Sequence, residues 1–263
     1  FTNSACKRFA TTRPPKTGTA QLMPKNNRAT RPPPANPATQ TPAHPTKNHT
    51  PMLHYHTIAV TAFAQNATII WCDQTMQGAV IDPGGELERI TQFAQQQGIA
   101  LQQILITHGH VDHCGGAAQL AQQENIAIIG PHAADQFWIQ ALPQIAANYG
   151  FAPAHPFTPT RWLADGDTVQ IGQETLQVHH CPGHTPGHVI YYAPTIAHAF
   201  VGDVLFAGSV GRSDFPQGNH AQLIASITQK LLPLGDATTF TPGHGPESTF
   251  GHERQTNPFL REA

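Results

Sequence analysis

The run Thr107-His108-Gly109-His110-Val111-Asp112-His113-Cys114-Gly115-Gly116 constrains this chain more than any other stretch. Three histidines and an aspartate fall between His108 and His113. Neutral imidazole and carboxylate are good ligands for zinc and related divalent ions. His108 and His110 are two apart, so an extended segment points both side chains the same way. Asp112 and His113 come where the chain must turn, and Gly115 and Gly116 let the backbone turn tightly into a helix. With 17 histidines in the chain, an isolated pair would mean little. The full order H-x-H-x-D-H is far more demanding, and it can feed two neighbouring metal positions. A metal site is expected here.

The rest of the chain is of two kinds. Residues 1–51 hold eight Lys or Arg, no Asp or Glu, and ten Pro. That is a disordered composition, with no apolar face or run. It reads as a targeting presequence, an interaction tail, or an extension outside the native protein; Met52, where the ordered pattern begins, favours the last. Residues 52–263 then form one domain, large enough for a real core. Its six Lys or Arg face 16 Asp or Glu, a balance of −10. Such an acidic domain argues against nucleic acid as a partner. No segment approaches the 18 or more apolar residues of a membrane span. Three of the four cysteines, Cys72, Cys114 and Cys181, lie in the domain. They fit small buried fillers in a reducing, cytoplasmic setting better than a disulfide framework.

Short apolar runs bounded by turn residues predict strands: Ala67 to Trp71, Ala79 to Ile81, Ile104 to Ile106, Ile126 to Ile129, Thr175 to Val178, Val189 to Tyr192, Ala199 to Val201 and Thr238 to Phe240. Thr168 to Val178 reads as a hairpin turning at Gly172. Leu87, Ile90, Phe93 and Ala94 mark one helix face, ended by Gly98. Ala117 to Gln123 suits a second helix, and Leu223, Ile224, Ile227 and Leu231 a third, stopped by Pro233. Residues 131–164 are irregular and aromatic, with Phe137, Trp138, Phe151, Phe157 and Trp162 as a lid or as packing. Strands and helices in this order mean an α/β layered domain.

Asp82, His108, His184, Asp203 and His244 each lie just past one of these strands. Buried strands ending at one rim would bring them together. Singly, each is as well explained as a cap or a structural loop residue. Together with the leading cluster they become specific.

These residues resemble the metallo-β-lactamase superfamily: His108-x-His110-x-Asp112-His113, then His184, Asp203 and His244 in that order, over about residues 52–260. The resemblance implies a four-layer αβ/βα sandwich with a dinuclear site at one edge of its two sheets. It implies that His108, His110 and His184 hold one metal and Asp112, His113 and His244 the other, with Asp203 bridging. Asp82 would orient the histidine loop. Zinc is the expected metal, with iron or manganese as alternatives. Within the superfamily, His184-Thr185-Pro186-Gly187-His188, Ile81-Asp82-Pro83-Gly84-Gly85 and Gly202-Asp203-Val204-Leu205-Phe206 look like glyoxalase II-like hydrolases. Gly211-Arg212-Ser213-Asp214-Phe215, the Pro242-Gly243-His244-Gly245-Pro246 loop and Asn257-Pro258-Phe259-Leu260 look like the short form of that family.

That likeness implies hydrolysis of a small-molecule thioester, S-2-hydroxyacylglutathione such as S-lactoylglutathione, by a metal-activated hydroxide. Asp112 would orient the nucleophile and accept its proton. Arg212 is the best basic candidate for a substrate carboxylate, and it equally suits a pair with Asp214 or Asp203. His188 reads as a structural hydrogen-bonding residue rather than an acid. The runner-up is a mononuclear iron persulfide dioxygenase using His108, His184 and Asp203. A non-catalytic metal binder is disfavoured by the complete ligand set.

Overall fold

The computed structural model describes residues 52–261. The expectation of a disordered tail over residues 1–51 falls outside them.

The apolar runs form two mixed sheets. The first consists of β1 (Leu53–Val60), β2 (Gln65–Cys72), β3 (Gln77–Ile81), β4 (Ala100–Leu105) and β5 (Ala127–Ile129), in that spatial order. Later in the chain come β6 (Thr168–Ile171), β7 (Glu174–His180), β8 (Val189–Ala193) and β9 (His198–Gly202). A small hairpin, β10 (Leu205–Phe206) and β11 (Ser209–Val210), precedes β12 (Thr239–Pro242) and β13 (Ser248–Thr249). The second sheet is ordered β13-β12-β9-β8-β7-β6. The helices are α1 (Leu87–Gln97), α2 (Val111–Cys114), α3 (Ala117–Glu124), α4 (Gln136–Gln140), α5 (Leu142–Tyr149), α6 (His220–Ser226) and α7 (Phe250–Thr256).

Alternation along the strands explains the layers. Ala79, Ile81 and Leu105 join Val178, Val189, Tyr191 and Phe200 in a core between the sheets. Their chain neighbours Val80, Ile104 and Ile106 instead join Leu87, Ile90 and Leu120 of α1 and α3. On the second sheet Ile190, Ala199 and Val201 pack with Leu223 and Ile227 at α6. Successive strand residues face opposite sides, so both sheets are covered on both faces. This is the four-layer αβ/βα sandwich. Each fully buried Val, Leu or Ile contributes roughly 1.5–3 kcal/mol.

Strand direction places the site. β3 and β4 are parallel, so the residues after them leave at one edge. β9 and β12 are parallel, and β7 runs with them because both β7 and β9 are antiparallel to β8. His184, Asp203 and His244 follow those three strands. Val189 N donates to Thr107 O (2.8 Å) and Asn66 N to Gly243 O (2.7 Å), which joins the two edges.

Two stretches differ from the sequence pattern. β1 was not among the apolar runs, because it alternates exposed and buried residues at the sheet edge. Residues 131–164 divide between roles. Phe151, Phe157 and Trp162 pack on the helix-side core, whereas the Trp138 ring stands edge-on to His110 at 4.6 Å.

Candidate functional site

The chain leaving β4 is still extended at His110 (φ −73°, ψ 148°), and α2 begins at the next residue. His108 and His110 therefore project from extended backbone, and Asp112 and His113 from a helical turn. One short run thus supplies two clusters. In the first, His108 Nε2 and His184 Nε2 lie 3.1 and 3.0 Å from His110 Nδ1. In the second, His244 Nε2 and His113 Nε2 lie 3.2 and 3.7 Å from Asp112 Oδ2. Asp203 stands between them. Its Oδ1 is 3.3 Å from His113 Nε2, and its Oδ2 is 3.5 Å from His184 Nε2 and 3.8 Å from His244 Nε2. The seven side chains singled out from the sequence meet at one edge of the sandwich.

The far side of four of the five rings fixes the tautomer, whereas His110 Nε2 is buried with no hydrogen-bond partner. His184 Nδ1 donates to Arg212 O (2.7 Å) and His244 Nδ1 to Phe63 O (3.0 Å). A carbonyl only accepts, so the proton sits on Nδ1 in both. His113 Nδ1 donates to Asp82 Oδ2 at 2.9 Å. His108 Nδ1 meets Thr107 Oγ1 at 3.0 Å, and that hydroxyl spends its own proton on Asp82 Oδ2. Four Nε2 lone pairs are left facing one another and two carboxylates. His113 Nε2 and Asp203 Oδ1 are buried with no hydrogen-bond partner. Such a donor set fits divalent cations: His108, His110 and His184 form one group, and Asp112, His113 and His244 another, each with ligand atoms within 4.8 Å.

The electrostatics agree. Burial holds His108 well below the ordinary imidazole range, lowers His184, and brings His110 down to about 3. These rings are neutral, as metal ligands must be. Burial opposes charge on His113 too, but Asp203 and Asp112 raise it well above its usual value. Asp203 is likewise held low by His113 and His184 although burial opposes its ionisation. The same carboxylates favour any cation set between these groups.

Asp82 sits behind the histidine run and bonds to it. Besides His113, it accepts from Thr107 N (2.7 Å) and Thr107 Oγ1 (2.5 Å). His188 is fully buried, and its Nε2 accepts from Asp203 N at 3.0 Å, a structural bond. The Arg212 guanidinium forms a bidentate pair with Asp214 (3.0 and 2.8 Å) and lies 4.7 Å over the Phe215 ring. Phe215 and Trp138 flank His110.

Sequence reasoning missed Asp135. It is fully buried and accepts from Gly109 N (2.9 Å), Thr185 Oγ1 (2.7 Å) and Gly187 N (2.6 Å). It ties the turn between His108 and His110 to the loop after His184. Only a lone acid in an otherwise uncharged stretch hinted at it.

Gly84 makes another close approach. A Cβ there would sit 1.5 Å from the Asp112 carbonyl oxygen. Gly84→Ala must push α2 away and carry Asp112 and His113 with it. The expected cost reaches or exceeds the ~1–3 kcal/mol of ordinary overpacking, read as a lowered thermal midpoint together with weakened metal binding.

Residues 60–244 match the family profile described as the metallo-beta-lactamase superfamily. The chain belongs to the metallo-β-lactamase superfamily. Within it the chain falls with the glyoxalase II-like hydrolases, and divalent-metal binding goes with this membership. Hydroxyacylglutathione hydrolase GloC of Haemophilus influenzae is 43% identical over 204 residues, covering 77% of this chain and 96% of that protein. Among solved structures, TTHA1623 in a di-iron-bound form shares 37% identity at a TM-score of 0.71, covering 78% of this chain and 100% of that one. The BLEG-1 B3 metallo-beta-lactamase shares 34% identity at a TM-score of 0.72, covering 79% and 99%. These superfamily members span nearly their whole length on the described sandwich, so the likeness is to the entire fold and not to a motif.

Proposed function

We propose that this superfamily member hydrolyses thioesters of the S-2-hydroxyacylglutathione class, with S-lactoylglutathione as the test substrate. His108, His110 and His184 would hold one divalent cation, and Asp112, His113 and His244 a second, with Asp203 bridging. The observation that carries this reading is the set of four imidazoles whose Nδ1 atoms are committed outward, leaving the Nε2 atoms of His113, His184 and His244 facing Asp112 or Asp203 and that of His108 facing His110. Identity to a hydroxyacylglutathione hydrolase supports the substrate class. A relative solved in a di-iron-bound form supports two cations. Zinc is the metal proposed, and iron or manganese suits the same donors.

The chemistry such a pair supplies when bound is an acidified water and a Lewis acid for the carbonyl oxygen. Asp112 orients the attacking water and takes its proton. Burial opposes its charge, yet His113 and His244 hold its pKa below the usual carboxylate range, so it stands ionised. Trp138 and Phe215 shield the His110 side from solvent. The leaving thiolate needs no strong acid, which leaves His188 to its bond with Asp203 N. Arg212 Nη1, not used in the pair with Asp214, meets a carboxylate of the thiol at the cleft mouth. No helix among the described residues is long and apolar enough to cross a membrane. The buried thiols of Cys72, Cys114 and Cys181 suit a cytoplasmic setting.

Metal analysis run beside anaerobic hydrolysis of S-lactoylglutathione tests the reading. About two metal ions per chain and release of free thiol are expected. A single iron, with oxygen uptake on glutathione persulfide and no thioester cleavage, would overturn it in favour of the dioxygenase.

A further inference from the structure

We infer that the pocket behind Phe63 receives the acyl group of the thioester, and that the preferred acyl group is bulky and apolar, aryl or branched alkyl, rather than lactoyl. The inference rests on the thioesterase reading above.

Four large hydrophobic side chains are exposed among the described residues, and two of them, Phe63 at 49% and Tyr149 at 65%, stand together. Phe63 meets Tyr149 and Phe151 edge to face, at 6.5 and 5.0 Å between ring centroids. With Val111 and the backbone of Gly84 and Gly85, these rings line a pocket of about 370 Å³. Exposed aromatic surface of this kind costs solvation and marks a binding face.

None of the seven ligands lines the pocket, but residues of its wall are bonded to the ligand cluster or adjoin it in the chain. Phe63 O accepts the His244 Nδ1 proton at 3.0 Å. Asn66 Nδ2, at the start of β2 just past the β1–β2 turn, donates to Pro242 O (3.0 Å) and Gly245 O (2.9 Å) on either side of His244. Val111 immediately precedes Asp112. These links set the Phe63 pocket next to the Asp112 and His244 end of the ligand cluster. A lactoyl group is too small to fill such a space.

Charge decides which half of the substrate goes there. Arg89, Arg161, Lys230 and Arg254 are held in ion pairs, and Arg212 keeps Nη1 outside its pair with Asp214, which with Arg261 is what remains of the described Lys and Arg side chains. No Lys or Arg lines the pocket; of its two charged residues Glu86 is paired with Arg89, which leaves Glu88 as its uncompensated charge. The carboxylates of a glutathione-like thiol are repelled from it, whereas an uncharged apolar acyl group is not. The thiol half is left to the Arg212 side of the cleft.

The test compares kcat/KM of the metal-loaded full chain for S-mandeloylglutathione and S-lactoylglutathione. The mandeloyl thioester is expected to be favoured by on the order of tenfold. Phe63→Ala and Tyr149→Ala should each bring that ratio towards one. Both side chains are exposed, so neither change threatens the fold. Met52→Ala, at the opposite end of β1 from the turn, should leave the ratio as it is. A ratio at or below one in the unmodified enzyme, or a ratio that Phe63→Ala does not move, overturns the pocket assignment while the hydrolase reading stands. If neither thioester is cleaved, the hydrolase reading falls and the pocket assignment falls with it.

Discussion

Asp112→Asn is expected to slow thioester hydrolysis by about 10²–10⁴-fold in kcat, the range for a lost general base. Asparagine preserves the shape and one acceptor oxygen but cannot take a proton. Asp112 is placed for the role by α2, whose first turn sets its Oδ2 3.2 Å from His244 Nε2. Its carboxyl stays ionised against burial because His113 and His244 stabilise the anion. The same oxygen belongs to the second ligand cluster, so metal content must be measured on the same preparation. A rate loss that far exceeds the metal loss marks the proton-accepting role. Turnover near that of the unmodified enzyme would remove Asp112 from the chemistry.

The donors were legible in the sequence because the chemistry is local there. His108, His110, Asp112 and His113 fall in one run, and Asp82, His184, Asp203 and His244 each terminate an apolar strand. The layers were legible too, since runs such as Ala79-Val80-Ile81 are apolar at every position and imply burial on both faces. What escaped has a physical reason in each case. β1 alternates polar and apolar residues at an edge, a weaker signal than a buried run. The bonds of Asp135 reach 26, 50 and 52 residues along the chain, and no local pattern encodes them. The sequence left Arg212 with two roles. In the fold its guanidinium engages Asp214, while its backbone oxygen fixes the tautomer of His184.

Asp135→Ala is expected to loosen both ligand loops at once. It strands the N–H groups of Gly109 and Gly187 and the Thr185 hydroxyl in a buried space. Each unsatisfied donor costs ~1–3 kcal/mol, so the fold should lose on the order of 3 kcal/mol or more. That is a fall of about 6–12 °C in thermal midpoint for a domain of this size. Metal affinity should fall about 10–100-fold, as it does when a partner of a ligand shell is removed. Asp135→Asn separates the two effects. Burial lifts the Asp135 pKa to about 6 against the pull of its three hydrogen bonds. The folded state thus keeps this proton where the unfolded chain releases it. The stability tied to the raised pKa is full below about pH 3.9 and is lost as pH rises through about 6. At neutral pH the carboxylate is ionised at a desolvation cost that asparagine does not carry. The Asn variant should therefore lose less stability than the Ala variant at pH 7, and compare least favourably with the unmodified protein in acid. Its amide still accepts on one side but presents N–H to N–H on the other, so one loop stays tied and one is released. Weakened metal binding with a nearly unchanged thermal midpoint at pH 7 is the signature of a loop clamp. Unchanged metal affinity in both variants would reduce Asp135 to packing.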